Sequence, residues 1–202
     1  QGSTAKLVAN ALGVVRTEPK GILIVGANEL AQKIAMRLSA LGMDIIMVDT
    51  SLINVQAARE AGLQAIEANA LSDAIFEEVD LSRVGRMAAI TSNSGLNELA
   101  CRWFEKELGE RNVLRLASKE ESENLNVKLS KNVLFGAHTE FVSLVSFLRS
   151  NDAFGELTFS AQVDREEWMA KHKNKIVPVC VVYGGNTELI SGFSGRFLKT
   201  VH

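Results

Sequence analysis

The residues best placed to do chemistry are Gly26-Ala27-Asn28-Glu29-Leu30-Ala31, with Asp49-Thr50 following them. Gly26 ends the apolar run Gly21-Ile-Leu-Ile-Val25, and a helical pattern begins just beyond it. In such a turn the free N–H groups of the helix start and the positive end of its dipole attract a phosphate. The pattern that holds a pyrophosphate in this way is G-x-G-x-x-G/A. Gly26 keeps its first position, Asn28 replaces the second glycine, and Ala31 is an accepted third. A side chain at the second position restricts backbone approach to a pyrophosphate, although Asn tolerates the left-handed conformation and brings its own amide donor. Glu29 favours the helix start but competes with a bound phosphate. A mononucleotide, or a weakly held dinucleotide, suits this turn.

Asp49 ends a second apolar run, Ile45-Ile-Met-Val48, at close to the spacing of about 20 residues at which an acid accepts hydrogen bonds from an adenosine ribose. A carboxylate there favours a free 2′-hydroxyl and repels a 2′-phosphate. The expected ligand is therefore an adenine nucleotide (NAD, NADH, AMP, ADP or ATP) and not NADP. The plainer alternative makes Gly26 a strand-end turn and Asp49 the N-cap of the next helix.

These residues depend on an alternation of strand and helix. After the first strand, Leu30, Ile34, Met36, Leu38 and Leu41 fall at helical spacing. The second strand leads to a helix through Val55 and Ala58, a strand at Ala65-Ile66 and a short helix from Ala74 to Glu78. Met87 to Ile90 reads as a fourth strand, Leu96 to Leu108 as a long helix, and Val113 to Leu116 as a fifth strand. Strand and helix in strict turn predict an α/β fold, a Rossmann-like doubly wound parallel sheet covered on both faces. Beyond Leu116 the sequence predicts a charged helix from Lys119 to Leu129, a short strand at Val133 to Phe135 and a helix from His138 to Leu148. Leu157, Phe159, Ala161 and Val163 alternate like a strand, a polar helix surrounds Trp168, and Ile176 to Tyr183 reads as a further strand. Gly184-Gly185-Asn186 signals a hairpin turn leading into Leu189-Ile190. The organisation read from these patterns is an N-terminal helix and linker over 1–19, a Rossmann nucleotide-binding domain over 20–135, a hinge or interface helix over 136–150, and a small β-rich appendage over 151–202.

At 202 residues and 47% hydrophobic content the chain can bury one good core. A formal net charge of -2 supplies no basic field for a phosphate backbone, so nucleic acid is not an expected partner. Cys101 and Cys180 stand far apart with no CxxC spacing, which argues for reduced core residues in a cytosolic compartment and against zinc. No apolar run approaches the roughly 20 residues that span a bilayer, and the first residues lack a signal-peptide pattern. No nucleophile elbow, HExxH, P-loop lysine or acid pair appears, and His138 and His172 are isolated. The expectation is a binding module that is not an enzyme. The alternatives are an NAD-dependent oxidoreductase, or a Rossmann scaffold whose site has decayed, as Asn28, Glu29 and Asn69 would suggest. Trp103 and Phe104 are expected in the core or at a subunit interface, and the charges around Trp168 on a solvated helix face.

Two further segments complete the pattern: Ala68-Asn69-Ala70 after the third strand, and Thr91-Ser92-Asn93 after the fourth, with Asn97 on the helix that follows. Together with Gly26 and Asp49 these resemble the TrkA-N family, also called RCK or KTN domains, the regulatory Rossmann modules of potassium channels and cation antiporters. The resemblance covers about residues 20–135. In that family the segments read G-D-A and T-N-D, so Asn69 stands in place of an acid. The resemblance implies that Asn69 and Ala70 line an adenine pocket and that Thr91, Ser92 and Asn93 flank the ribose and phosphates. It also implies a homodimer, for which Phe141, Leu144, Val145 and Leu148 offer a surface unless they pack on their own sheet. Ser3 to Val14 is similar to the end of the last membrane segment of sodium/proton antiporters, and is equally well read as a short amphipathic helix. The resemblance thus implies a regulatory domain at the cytoplasmic face of the cell membrane, working with a membrane transport domain of the same or a partner chain.

Overall fold

Every residue of Gly21–Val25 (β1) is buried, as expected of a central strand packed on both faces. A computed structural model describes residues 20–124, 129–136, 139–150, 154–156, 171–172 and 176–192. The expected helix in 1–19, His138, the alternating Leu157 to Val163 and the helix around Trp168 lie outside the described residues. β1 pairs in parallel with Ile45–Asp49 (β2) on one side and Val84–Ala89 (β4) on the other. Gln64–Glu67 (β3) and Val113–Arg115 (β5) complete a parallel sheet in the order β3-β2-β1-β4-β5. The fold is a Rossmann-like α/β sheet, and its strand order reverses between β1 and β4, the switch point at which such sheets bind ligands.

Alternate side chains of β1 enter two cores. Ile22 and Ile24 join one layer with Glu29–Ala40 (α1) and Leu52–Glu60 (α2); Leu23 and Val25 join the other with Ile75–Glu78 (α3) and Ser94–Leu108 (α4). α1 buries Leu30, Ala31, Ile34, Ala35 and Leu38, whereas Met36 is exposed, off the stripe to which its apolar character assigned it. Trp103 lies partly exposed on α4, stacked at 6.5 Å on Phe76, while Phe104 is fully buried beside them.

The region after β5 departs from the expected elements. Lys119–Glu123 (α5) ends at Glu123, six residues short of the expected Leu129, because Asn124 leaves the helical conformation as an extended C-cap. The expected strand at Val133 to Phe135 is two isolated bridges, Val133 to Arg115 and Leu134 to Ser191. It ends where Phe135 takes a positive φ of 64° ahead of Gly136. Phe141–Ser150 (α6) packs on α1, with Leu144 buried and Phe141, Val145 and Leu148 against the same core. These four side chains pack on their own sheet's core. Val142 is the apolar residue that α6 leaves most exposed, at 65%.

At the C-terminal end, Cys180–Tyr183 (β6) and Asn186–Leu189 (β7) form a two-stranded antiparallel sheet. Gly184 and Gly185 both have positive φ, as a two-residue hairpin turn with native twist requires. The hairpin rests on the Rossmann core. Leu189 is buried in the α1 layer, the Phe135 N–H donates to the Ile190 carbonyl at 2.8 Å, and Glu188 meets Arg86 of β4 at 3.9 Å.

Candidate functional site

The turn after β1 is built around Gly26. Its φ is +105°, and a Cβ there would lie 2.7 Å from the Ile90 carbonyl oxygen, so only glycine fits. The close approach brings the end of β1 against the end of β4. From here the chain enters α1 through Asn28, whose φ of -68° and ψ of 170° are extended rather than left-handed. As N-cap, its Oδ1 accepts the Ala31 N–H at 3.1 Å. Its Nδ2 crosses the crevice and donates to the Ile90 carbonyl at 2.7 Å.

Asp49 meets the same turn from β2. Its Oδ2 accepts the Ala27 N–H at 2.7 Å and the Asn54 side-chain amide at 3.1 Å, and its Oδ1 accepts the Ser51 N–H at 2.8 Å. Three of the roughly four acceptor positions of a carboxylate are thus used, leaving room for a hydroxyl. The N-cap of α2 is Ser51, not Asp49. The plainer reading of Asp49 as a helix cap is thereby excluded, and the acid is held at the glycine turn.

The N–H groups of Asn28, Glu29 and Leu30 lie in the first turn of α1, where no intrahelical acceptor exists, and carry no hydrogen bond among the described residues. They are the donors a phosphate would use. Leu30 is otherwise buried in the core, so only its backbone is available. Glu29 is exposed and lies 3.3 Å from Lys33, which offsets part of its charge at the helix start.

On the β4 side, Thr91 is clamped by the buried Asn97. The Asn97 Oδ1 accepts the Thr91 N–H at 3.1 Å and lies 2.7 Å from its hydroxyl, while Nδ2 donates to the Thr91 carbonyl at 3.0 Å. Ser92 is exposed, and Asn93 is the N-cap of α4, accepting the Leu96 N–H. Near β3, Ala68 donates to the Asp49 carbonyl, Asn69 is exposed and accepts the Leu71 N–H, and Ala70 is buried in the second core. Thr50 is exposed beside Asp49.

The structure therefore joins Gly26, Ala27, Asn28 and Asp49 directly and brings Thr91 against them through Ile90. Asn69 is held by its own turn. Sequence reasoning missed Gln32, whose amide donates to the Ala27 carbonyl at 2.7 Å, and Asn54, which braces Asp49. Both are polar residues in the first turns of helices that follow β1 and β2, a placement that could have marked them.

The TrkA-N domain profile matches residues 22–135, more than half of the chain. The chain belongs to the TrkA-N domain family. TrkA-N domains are Rossmann-like nucleotide-binding domains, and the matched span runs from β1 to Phe135, just past the bridge at Leu134, taking in the whole crevice. Among solved structures, the TrkA-N domain of inner membrane protein ybaL from Escherichia coli is similar at 19% identity, covering 48% of this chain and 71% of that one with a TM-score of 0.40. The NAD(P)-binding domain of an exopolyphosphatase-related protein from Archaeoglobus fulgidus is similar at 16% identity, covering 76% and 98% with a TM-score of 0.42. SirC, a precorrin-2 dehydrogenase, is similar at 12% identity, covering 78% and 87% with a TM-score of 0.35. A search of curated proteins finds no match.

A second polar cluster lies at the sheet edge. The side chain of Arg115, at the end of β5, is nearly buried and makes a paired contact with Glu121 at 2.7 and 2.9 Å. The hydrogen bond from Arg115 holds the Glu121 carboxyl down at about 2. Beside them Cys101 is buried, which pushes its thiol up to about 12 and keeps it protonated and unreactive. Among the described residues no group of acids, histidines and cysteines is arranged to hold a metal, and no helix is long and apolar enough to cross a membrane.

Proposed function

We propose that this TrkA-N domain binds an adenine nucleotide across the carboxyl ends of β1 and β2, and that occupancy regulates a monovalent cation transporter, a Na+/H+ antiporter by its resemblance. The observation that carries the proposal is the Gly26 turn, held against Asp49 and leaving the N–H groups of residues 28–30 for a phosphate. Asp49 takes a ribose hydroxyl and disfavours a 2′-phosphate, so NADP is not the ligand. Thr91 lines the far wall, and Ser92, Asn93 and Asn69 border the crevice. The domain works as a binding module without catalysis, as a homodimer at the cytoplasmic face of the membrane. The nucleotide need only favour one arrangement of the paired domains, with couplings of roughly 1–3 kcal/mol being usual for such regulation.

The test is a calorimetric titration of the 202-residue chain with AMP, ATP, NAD, NADH and NADPH, repeated for the best ligand with Asp49→Asn. Tight binding of an adenine nucleotide, abolished by the substitution while the fold persists, is the expected result. Binding by none of them would leave a scaffold used for assembly, and preference for NADPH would overturn the role given to Asp49.

A further inference from the structure

Within the nucleotide reading, on which this inference rests, Asn28 decides how much of a nucleotide the crevice accepts. In a pyrophosphate-binding turn the second glycine is bare so that the diphosphate can lie close over the helix start. The second nucleotide then continues past the switch point toward the β4 side. Here that passage contains the Asn28 side chain, fixed at both ends of its amide: Nδ2 to the Ile90 carbonyl at 2.7 Å and Oδ1 to the Ala31 N–H at 3.1 Å. Asp49 stands on the β2 side of this contact, and Ile90 and Thr91 on the β4 side.

We propose that Asn28 is a bar across the switch-point crevice, admitting an adenosine monophosphate on the β2 side and excluding the second nucleotide of NAD or NADH. The ribose and one phosphate can be served without disturbing the bar, by Asp49 and by the N–H groups of residues 28–30. A dinucleotide must first detach Asn28 from Ile90, leaving a carbonyl that has lost its partner in a narrow space.

The experiment compares AMP and NADH binding by calorimetry in the unaltered chain, Asn28→Gly and Asn28→Ser. Gly and Ser are both accepted N-caps, so both variants keep α1, which a urea midpoint verifies. Neither side chain reaches Ile90. The unaltered chain is expected to hold AMP at least about tenfold more tightly than NADH, and both variants to shrink that ratio by about tenfold, a free-energy change of about 1.4 kcal/mol. Equal affinities in the unaltered chain, or a ratio unmoved in both variants, would overturn the bar while leaving nucleotide binding intact. If neither ligand binds any of the three proteins, the nucleotide reading fails and takes this inference with it.

Discussion

Two polar networks stand at the carboxyl ends of one sheet and use their hydrogen bonds in opposite ways. At β5, Arg115 is closed on both sides: Glu121 grips it, the Leu116 carbonyl accepts from it, and Ser118 and Glu121 form a capping box that starts α5. At β1 and β2, Asp49 and Asn28 are just as well bonded, yet three neighbouring N–H groups of α1 retain no partner among the described residues. A network whose charged groups are turned on one another holds structure together. One that is rigid but keeps donors in reserve is prepared for a ligand, and the difference separates the two clusters although each contains a charged residue.

The comparison is broken most severely at β5. Glu121→Ala strands a nearly buried guanidinium and should cost roughly 3 kcal/mol in urea unfolding, without altering nucleotide affinity. The acid dependence follows from the same pair. Because the folded-state value of Glu121 is about 2 against an ordinary 4.5, its contribution is complete above pH 4.5 and is lost as pH falls toward 2. Denaturant midpoints measured across that window should fall more steeply for the unaltered chain than for Glu121→Gln.

Gly26→Ala comes next, at roughly 2–3 kcal/mol from the positive φ and the contact with Ile90; unlike the β5 change, it should also abolish nucleotide binding. Asn97→Ala should cost about 2 kcal/mol by leaving the Thr91 groups unsatisfied, with a smaller loss of affinity, because Asn97 supports the wall of the crevice from within. Val142→Asp, on the exposed side of α6, should change stability by less than about 0.5 kcal/mol. If the proposed dimer uses that face, sedimentation will show the mass halved; an unchanged dimer would place its interface elsewhere.

The sheet was legible because its strands are apolar on both faces. Gly21 to Val25 and Ile45 to Val48 are continuous runs, and the structure places β1 and β2 there. β4 begins earlier than the expected Met87 because Gly85 and Arg86 interrupt its apolar run, although Arg86 finds a partner in Glu188. Gly26 and Asp49 were visible as types at a spacing. The use Asn28 makes of its amide was not, since the Ile90 carbonyl comes from a distant strand and no local pattern reports it. The same limit applies beyond β5, where the bridges at Val133 and Leu134 depend on Arg115 and Ser191 rather than on their own neighbours.

The seating of Leu189 has a consequence for the order in which the protein is made. A ribosome delivers β1 first and the β6–β7 hairpin among the last described residues, yet Leu189 belongs to the same buried layer as Ile22 and Leu134. The patch that Leu189 covers stays wet until that segment emerges. During this interval the newborn chain carries an apolar surface that the finished molecule conceals, and it is there that a chaperone would find a hold.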